Sequence, residues 1–388
     1  MNAKDRLLRN PLVALAPSNE EYLAYDAENF RLHRLNAAAA LILELSDGNV
    51  TVESVCQQVS PLFTDANPDG VAQWIEKGIA DGLLRLIRPD ESPPAPPSPR
   101  EFASIAKRLR KDGKVLAAFV CQHYATLLSS DDAAQWHALG ELAHIVGRRE
   151  DARDAYERYF QSNPGDAEVE QILVSLRDHA APPRAPNQCI EQLYSRFAEF
   201  YENNMRGDLD YQGPERLAEA LDLELQGCRD LDVLELGCGT GLAGRYLRQR
   251  ARHLSGIDIS ASMAAHARAT GCYDEIEIAE ITEWLSRSEL PAFNLVAACD
   301  TLIYFGDLSQ VIIPAARRIH PGGWFAFTVE RGDTIPFRLT DSGRYTHTDA
   351  HILEVAKAAG LTVARLTEGF IRYEYGTPVA GLVAVLRR

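Results

Sequence analysis

The stretch Asp232-Val-Leu-Glu-Leu-Gly-Cys-Gly-Thr-Gly241 decides how the rest of the chain is read. Val233, Leu234 and Leu236 suit a strand covered on both faces, as in the middle of a parallel sheet. Glycine then recurs at every second position, Gly237, Gly239 and Gly241, removing the side chains that would keep a ligand off the backbone. A helix starting near Leu242 would aim its free N–H groups at a carboxylate or phosphate. The stretch predicts a strand, a ligand-holding loop and a helix, the opening of a doubly wound α/β sheet.

Gly239-Thr-Gly-Leu-Ala-Gly244 also spells the G-x-G-x-x-G of a dinucleotide site, so other residues must discriminate. Glu235 sits two residues before the first glycine, Asp258 closes a second apolar strand, and His320-Pro-Gly-Gly-Trp324 leads into a late strand. This set resembles the class I methyltransferases. The resemblance implies S-adenosyl-L-methionine (SAM) as cofactor and S-adenosyl-L-homocysteine as product. It also implies that the glycine loop takes the methionine end, that Asp258 binds both ribose hydroxyls, and that Glu235 orders the methionine amine through its surroundings. A nicotinamide enzyme is the alternative.

From Asn187 onward helix and strand alternate, a Rossmann-like pattern. Tyr194, Phe197 and Tyr201 share one face of a helix. By the same resemblance Tyr194 and Phe197 form part of a lid over the cofactor; core packing is the competing reading. Glu277-Ile-Ala-Glu280 reads as a third strand, with Glu280 accepting from the adenine amine and the Ile281 backbone donating. Phe293 to Asp300 reads as a fourth strand whose end places Asp300 and Tyr304 at the transferred methyl. The C-terminal half, with the segment before it, resembles the TPR-containing methyltransferases through Ala298-Cys-Asp-Thr-Leu-Ile-Tyr304-Phe-Gly-Asp307, Glu330, Ser342 to His347 and Pro378-Val-Ala-Gly381. Methyl transfer from a sulfonium needs alignment, and a base only when the nucleophile must lose a proton. His347, Tyr345, Glu330 and Tyr304 are the catalytic candidates. Arg344 and Arg372 are candidates for gripping a substrate carboxylate, against the simpler reading of ordinary ion pairs.

The chain has 388 residues, 46% of them hydrophobic, enough for two or three cored domains. A formal net charge of −15 argues against nucleic acid as a partner, because no basic stripe offsets the repulsion. Seven scattered cysteines without a C-x-x-C pair suggest neither a metal site nor a disulfide framework, and fit a cytoplasmic protein. The apolar run Leu12 to Leu15 is too short for a signal peptide or a membrane span, so no membrane partner is expected. A homodimer is left open.

Two proline-rich stretches, Asp90 to Pro99 and Ala180 to Pro186, read as polyproline II spacers separating three modules: 1–90, 100–180 and 187–388. In the first, Tyr22 to Tyr25 and Phe30 to Leu35 read as strands and Ala37 to Leu45 as a helix. Thr51 caps a second helix, and a third from about Asp69 to Ala80 turns Val71, Trp74, Ile75 and Ile79 inward. The order suggests a winged-helix-like α+β module. Leu35-Asn36, Asp47-Gly48, Thr51-Val and Gly82-Leu83-Leu84 resemble the PqqD-like module, the recognition element for ribosomally made, modified peptides. That resemblance implies a leader peptide bound as an added strand beside the helix bearing Trp74. A DNA-binding winged helix is disfavoured because Lys77 is the one basic residue on the second and third helices. The middle segment repeats at an offset of about 34 residues, the tetratricopeptide period, with Trp136, Leu139-Gly140, Gly147, Ala152 and Tyr156 answering Phe102, Ile105-Ala106, Gly113, Ala118 and Gln122. Glu168 to Arg177 is expected to cap this stack.

The expectation is a SAM-dependent methyltransferase acting on a ribosomal precursor peptide recruited through its leader. A small-metabolite methyltransferase and a non-catalytic peptide-binding scaffold are the alternatives.

Overall fold

The computed structural model describes residues 4–18, 21–62, 68–88, 90–94, 98–177, 181–198, 209–289, 291–334, 336–374 and 377–388. The chain divides into two compact units, residues 1–163 and 164–388.

The first unit runs β1 (Arg6–Arg9), β2 (Val13–Pro17), β3 (Tyr22–Asp26), β4 (Arg31–Leu35), α1 (Ala37–Leu45), β5 (Asp47–Thr51), α2 (Val52–Val59), α3 (Pro68–Ala80) and β6 (Leu84–Ile87). Four helices follow, α4 (Pro99–Lys111), α5 (Val115–Leu128), α6 (Ala133–Ile145) and α7 (Arg149–Ser162). The strands make two antiparallel sheets, ordered β5-β1-β6 and β2-β3-β4. Asn36 and Thr51 cap α1 and α2, accepting from Ala39 N–H at 2.9 Å and Ser54 N–H at 3.2 Å. Leu7, Val13, Ile42, Leu43, Val55, Ile75 and Leu84 fill the core, with Trp74 half-buried against it.

The spacer reading of residues 90–99 gives way to a packing fact. Both faces of α5 are buried, at Ala117, Phe119, Val120, Cys121 and Ala125, because it packs between α4 and α6 and also lies on β2 and β3. The Arg9 guanidinium stacks over Tyr124 of α5, 4.8 Å from the ring centroid, and Arg148 donates to the Pro17 carbonyl at the end of β2. Residues 95–97 lie outside the described ones, but the segments they join belong to one unit. Repeat-like packing is local: a Cβ at Gly140 would come within 2.8 Å of the Tyr156 ring. Gln122, standing where the repeat usually has an aromatic, is buried with its amide donating 2.8 Å to Gln135 Oε1.

The second unit contains α8 (Ala167–Leu176), α9 (Asn187–Phe197), α10 (Gly213–Leu225), β7 (Leu231–Leu236), α11 (Gly244–Leu247), β8 (Ala251–Asp258), α12 (Ala261–Ala269), β9 (Glu275–Ile278), α13 (Ile281–Leu285) and β10 (Phe293–Ala298). It continues with α14 (Ser309–Arg317), β11 (Ile319–Arg331), β12 (Phe337–Leu339), β13 (Tyr345–His347), α15 (Asp349–Ala358), β14 (Thr362–Glu374) and β15 (Thr377–Arg387). The main sheet is ordered β9-β8-β7-β10-β11-β15-β14, parallel except for β15, which runs antiparallel to both neighbours. A hairpin of β12 and β13 extends the end of β11. Strand order reverses between β7 and β10, so their carboxyl ends flank the crevice where such sheets bind ligands.

Three local expectations are corrected. The helix after the glycine loop is the single turn α11 rather than one starting near Leu242, since the loop's own turns extend through Ala243. The third strand ends at Ile278, and Glu280 instead caps α13, its carboxylate accepting from Glu283 N–H at 2.8 Å. Helix α8, expected as part of the repeat segment, belongs to the second unit, where it packs on α9, Glu168 pairs with Arg196 and Gln171 donates 3.3 Å to the Gly343 carbonyl.

Candidate active site

An open cavity lies at the carboxyl ends of β7, β8 and β10, the place where open α/β sheets bind ligands. Its wall carries Glu235, Gly237, Gly239, Asp258, Glu280, Ile281, Asp300 and Tyr304, together with Tyr194 from α9. Sequence reasoning had singled out all nine. Gly241 belongs to the loop but not to the wall, and the Phe197 side chain and Tyr201 lie outside the described residues.

The loop is built from left-handed glycines, with φ of +68° at Gly237, +55° at Gly239 and +88° at Gly241. A side chain at Gly237 would collide with Thr301, whereas a Cβ at Gly239 would meet nothing nearer than Met263 at 3.8 Å. Gly239 thus leaves its backbone open to close approach. Its N–H donates 2.8 Å to Asp258 Oδ2, and Ser260 N–H donates 2.8 Å to Oδ1 of the same carboxylate. Asp258, 8% exposed, is therefore clamped to the loop; burial raises its pKa and these N–H groups oppose the rise.

Glu235 is buried beneath the loop and accepts 2.6 Å from the Tyr273 hydroxyl. Burial pushes its carboxyl up to about 8, so it is mostly protonated at neutral pH. Two buried oxygens of the wall, Thr240 Oγ1 and Asp300 Oδ1, have no partner among the described residues. A cationic, hydroxyl-rich ligand fits this acceptor-rich wall. At the other end Glu280 accepts from Arg184 (2.9 Å) and Thr282 (2.5 Å). Burial works against its ionisation, but these bonds and the arginine hold its pKa below the usual value. Ile281 is the first residue of α13, so its N–H falls outside that helix's own bonding.

Arg184 comes from the second proline-rich stretch, which is not a spacer where it is described. Pro183 carbonyl accepts from Gly306 N–H (2.9 Å) and Asp307 N–H (3.0 Å), and Ala185 N–H donates to Tyr304 carbonyl (2.8 Å). These bonds lay the strap along the loop after β10, with Arg184 lining the cavity and stacked 5.1 Å from the Phe305 ring centroid. Tyr194 and Tyr304 share a 2.7 Å hydroxyl hydrogen bond at the wall.

The remaining candidates serve the architecture. Tyr345 is fully buried and donates 2.8 Å to the Pro182 carbonyl, fastening the strap. His347 is fully buried, with Nε2 2.8 Å from the Phe305 carbonyl, which assigns the proton to Nε2; burial pushes its pKa down to about 4. It does not line the cavity and is no catalytic base. Glu330, Arg344 and Arg372 also lie off the wall. Arg372, its side chain 3% exposed, donates to Glu330 and, at 3.0 Å, to Asp300 Oδ2, while Arg344 binds Glu374 at 2.8 Å. Both guanidinium groups are already engaged by carboxylates, which corrects their assignment to substrate. Sequence reasoning missed Tyr273 and Arg184. Tyr273 carried no motif, and Arg184 sat among prolines.

A model of the methyltransferase domain family matches residues 234–325. Over 158 residues the chain is 30% identical to the malonyl-[acyl-carrier protein] O-methyltransferase of Enterobacter lignolyticus, covering 40% of this chain and 58% of that protein. Over 107 residues it is 32% identical to the ubiquinone biosynthesis O-methyltransferase of Alkalilimnicola ehrlichii, covering 27% and 43%. The chain thus spans about half the length of these curated relatives. The solved 1,6-didemethyltoxoflavin-N1-methyltransferase of Burkholderia thailandensis is 20% identical, with 54% of this chain and 93% of that one covered and a TM-score of 0.42. The chain carries a class I SAM-dependent methyltransferase domain, and SAM is the cofactor of that class. No helix among the described residues is long and apolar enough to cross a membrane.

Proposed function

We propose that this protein is a SAM-dependent methyltransferase that modifies a ribosomally made precursor peptide held through its leader by the N-terminal module. The methyl-transfer part rests on one observation: Gly239, left-handed and unobstructed, has its N–H locked onto Asp258 at the cavity wall. When bound, SAM supplies an activated methyl group for in-line displacement. The chain's own work is positional: Asp258 and the loop hold the ribose and methionine ends, Glu280 and Ile281 receive the adenine, and Tyr304 with Tyr194 walls the side from which an acceptor approaches.

The recruitment part is supported by the edges of the β2-β3-β4 sheet. β2 is covered by α5, whereas β4 pairs with β3 alone among the described residues and exposes Arg31, Leu32 and Arg34. An extended peptide can add there through main-chain hydrogen bonds, and tethering raises the local concentration of its modifiable part. A second reading, O-methylation of a small acceptor with the first unit serving assembly, is favoured by the names of the two O-methyltransferases above.

Fluorescence polarisation of a labelled candidate precursor against the full chain separates these readings. Leu32→Asp on the exposed edge should abolish leader binding while SAM binding, read by calorimetry, stays intact. Equal peptide binding by both proteins, or none by the wild type, would overturn recruitment and leave the small-acceptor reading.

A further inference from the structure

One side chain lies against several glycines around the cofactor loop. Tyr273 lies just before β9, and its ring occupies the space a Cβ would need at Gly241 (3.2 Å to Cε2) and at Gly256 (3.1 Å to Cδ1). At Gly244 a Cβ would strike the phenol oxygen itself. This is why the third glycine of the dinucleotide-like pattern is present: it clears a path for a tyrosine. The phenol threads under the loop and ends on Glu235 Oε2 at 2.6 Å.

Glu235 is 1% exposed yet contributes to the cavity wall. The titratable groups facing it are Tyr273 from the segment before β9, Asp258 from the end of β8, Cys238 from the loop and Cys299 after β10. All four are neutral or negative. The carboxyl therefore has a hydrogen-bond donor but no counter-charge among the described residues, and a cation at the loop would supply one.

We propose that Tyr273 is a positioning residue for the cofactor: it holds the Glu235 carboxyl under the glycine loop, where the cationic methionine end of SAM provides the missing counter-charge. The inference rests on the cofactor assignment above. Its consequence is that SAM binding and ionisation of Glu235 are coupled. Burial pushes the free carboxyl up to about 8; below that, binding must expel its proton, so affinity rises with pH and levels off once the free group is already ionised. The Tyr273 hydroxyl favours the ionised form. Tyr273→Phe keeps the ring against the glycines and removes that donor, so the levelling-off should move to higher pH and SAM should bind roughly tenfold more weakly at neutral pH.

Isothermal titration calorimetry of SAM against the full chain tests this, run from about pH 6 to about pH 9 in buffers of differing ionisation enthalpy. The wild type should release close to one proton per SAM near neutrality. Glu235→Gln should flatten the pH profile and make Tyr273→Phe silent in its background. A Tyr273→Phe profile that breaks at the wild-type pH, even with uniformly weaker binding, would reduce the tyrosine to packing and overturn the proposal. If Tyr273→Phe fails to fold, the Glu235→Gln profile decides alone: a retained pH break refutes the coupling. A wild type that binds SAM with a flat profile defeats this inference only, whereas one that binds none at any pH defeats the cofactor assignment.

Discussion

Replacing Arg372 by methionine should be among the most damaging single changes to the second unit, and the damage should shrink in acid. Arg372 is nine-tenths buried or more, donates to Glu330 and to Asp300 Oδ2 at 3.0 Å, and stands 3.6 Å from Glu374. Without it, among the described residues, Asp300 loses its side-chain partner, since its other oxygen has none, and Glu330 keeps only Arg344 at 3.8 Å. Removing one partner from a buried pair costs about 3–5 kcal/mol. For a unit of this size that is a fall of roughly 6–20 °C in melting temperature. In the wild type burial already raises the Glu330 pKa against the pull of Arg372 and Arg344; in the variant the rise is unopposed by Arg372. A carboxylate whose folded pKa lies above its unfolded value adds stability that is present at low pH and lost as pH rises through the folded pKa. The gap between the two proteins should therefore be widest at alkaline pH and narrow as Glu330 takes up its proton. Scanning calorimetry of both across pH, following the transition that SAM shifts, is the measurement. A loss below about 1 kcal/mol, or a gap that does not change with pH, would refute the account of the network.

Two further outcomes are expected. Asp258→Ala leaves two N–H donors, Gly239 and Ser260, without their acceptor; it should cost about 2–4 kcal/mol in stability besides abolishing measurable SAM binding by calorimetry, and a stable variant with wild-type SAM affinity would contradict the site. His347, whose pKa is pushed down to about 4, resists protonation when folded while the unfolded chain takes up a proton below about 6.5, so wild-type stability should fall between those values by up to about 3 kcal/mol. His347→Gln should flatten that part of a urea-midpoint profile, and an unchanged acid slope would contradict the assignment.

The loop itself was legible because its determinants are local: Gly237, Gly239 and Gly241 are constrained by the turn they make and Asp258 ends its strand, so their places could be read from the sequence, while their roles toward a cofactor came from the resemblance to class I methyltransferases. What was not legible depends on which residues meet across long separations. Nothing near Arg184 in sequence signals that it will pair with Glu280, nor does Tyr273 announce Glu235. Proline-rich composition pointed to solvated spacers because such segments lack internal hydrogen bonds; here residues 183–185 make their bonds to the loop after β10 instead. β1 and β2 escaped notice for a similar reason, being short strands whose pairing partners lie elsewhere in the chain or past a turn.

The corrected residues share one physical trait that separates architecture from site. Arg344, Arg372, Glu330 and Glu374 pair with one another, and the Tyr345 hydroxyl and His347 Nε2 bond backbone carbonyls, all of them off the cavity wall. Their clustering after the fifth parallel strand was real, but it reflects the need to fasten the β12–β13 hairpin and β14 to the end of β11. Along the cavity wall, among the described residues, Glu235 has no cation beside it, and Asp300 and Thr240 each keep an oxygen unpaired. A sulfonium-bearing amino acid with a free ammonium matches that deficit in sign and in hydrogen-bond donors.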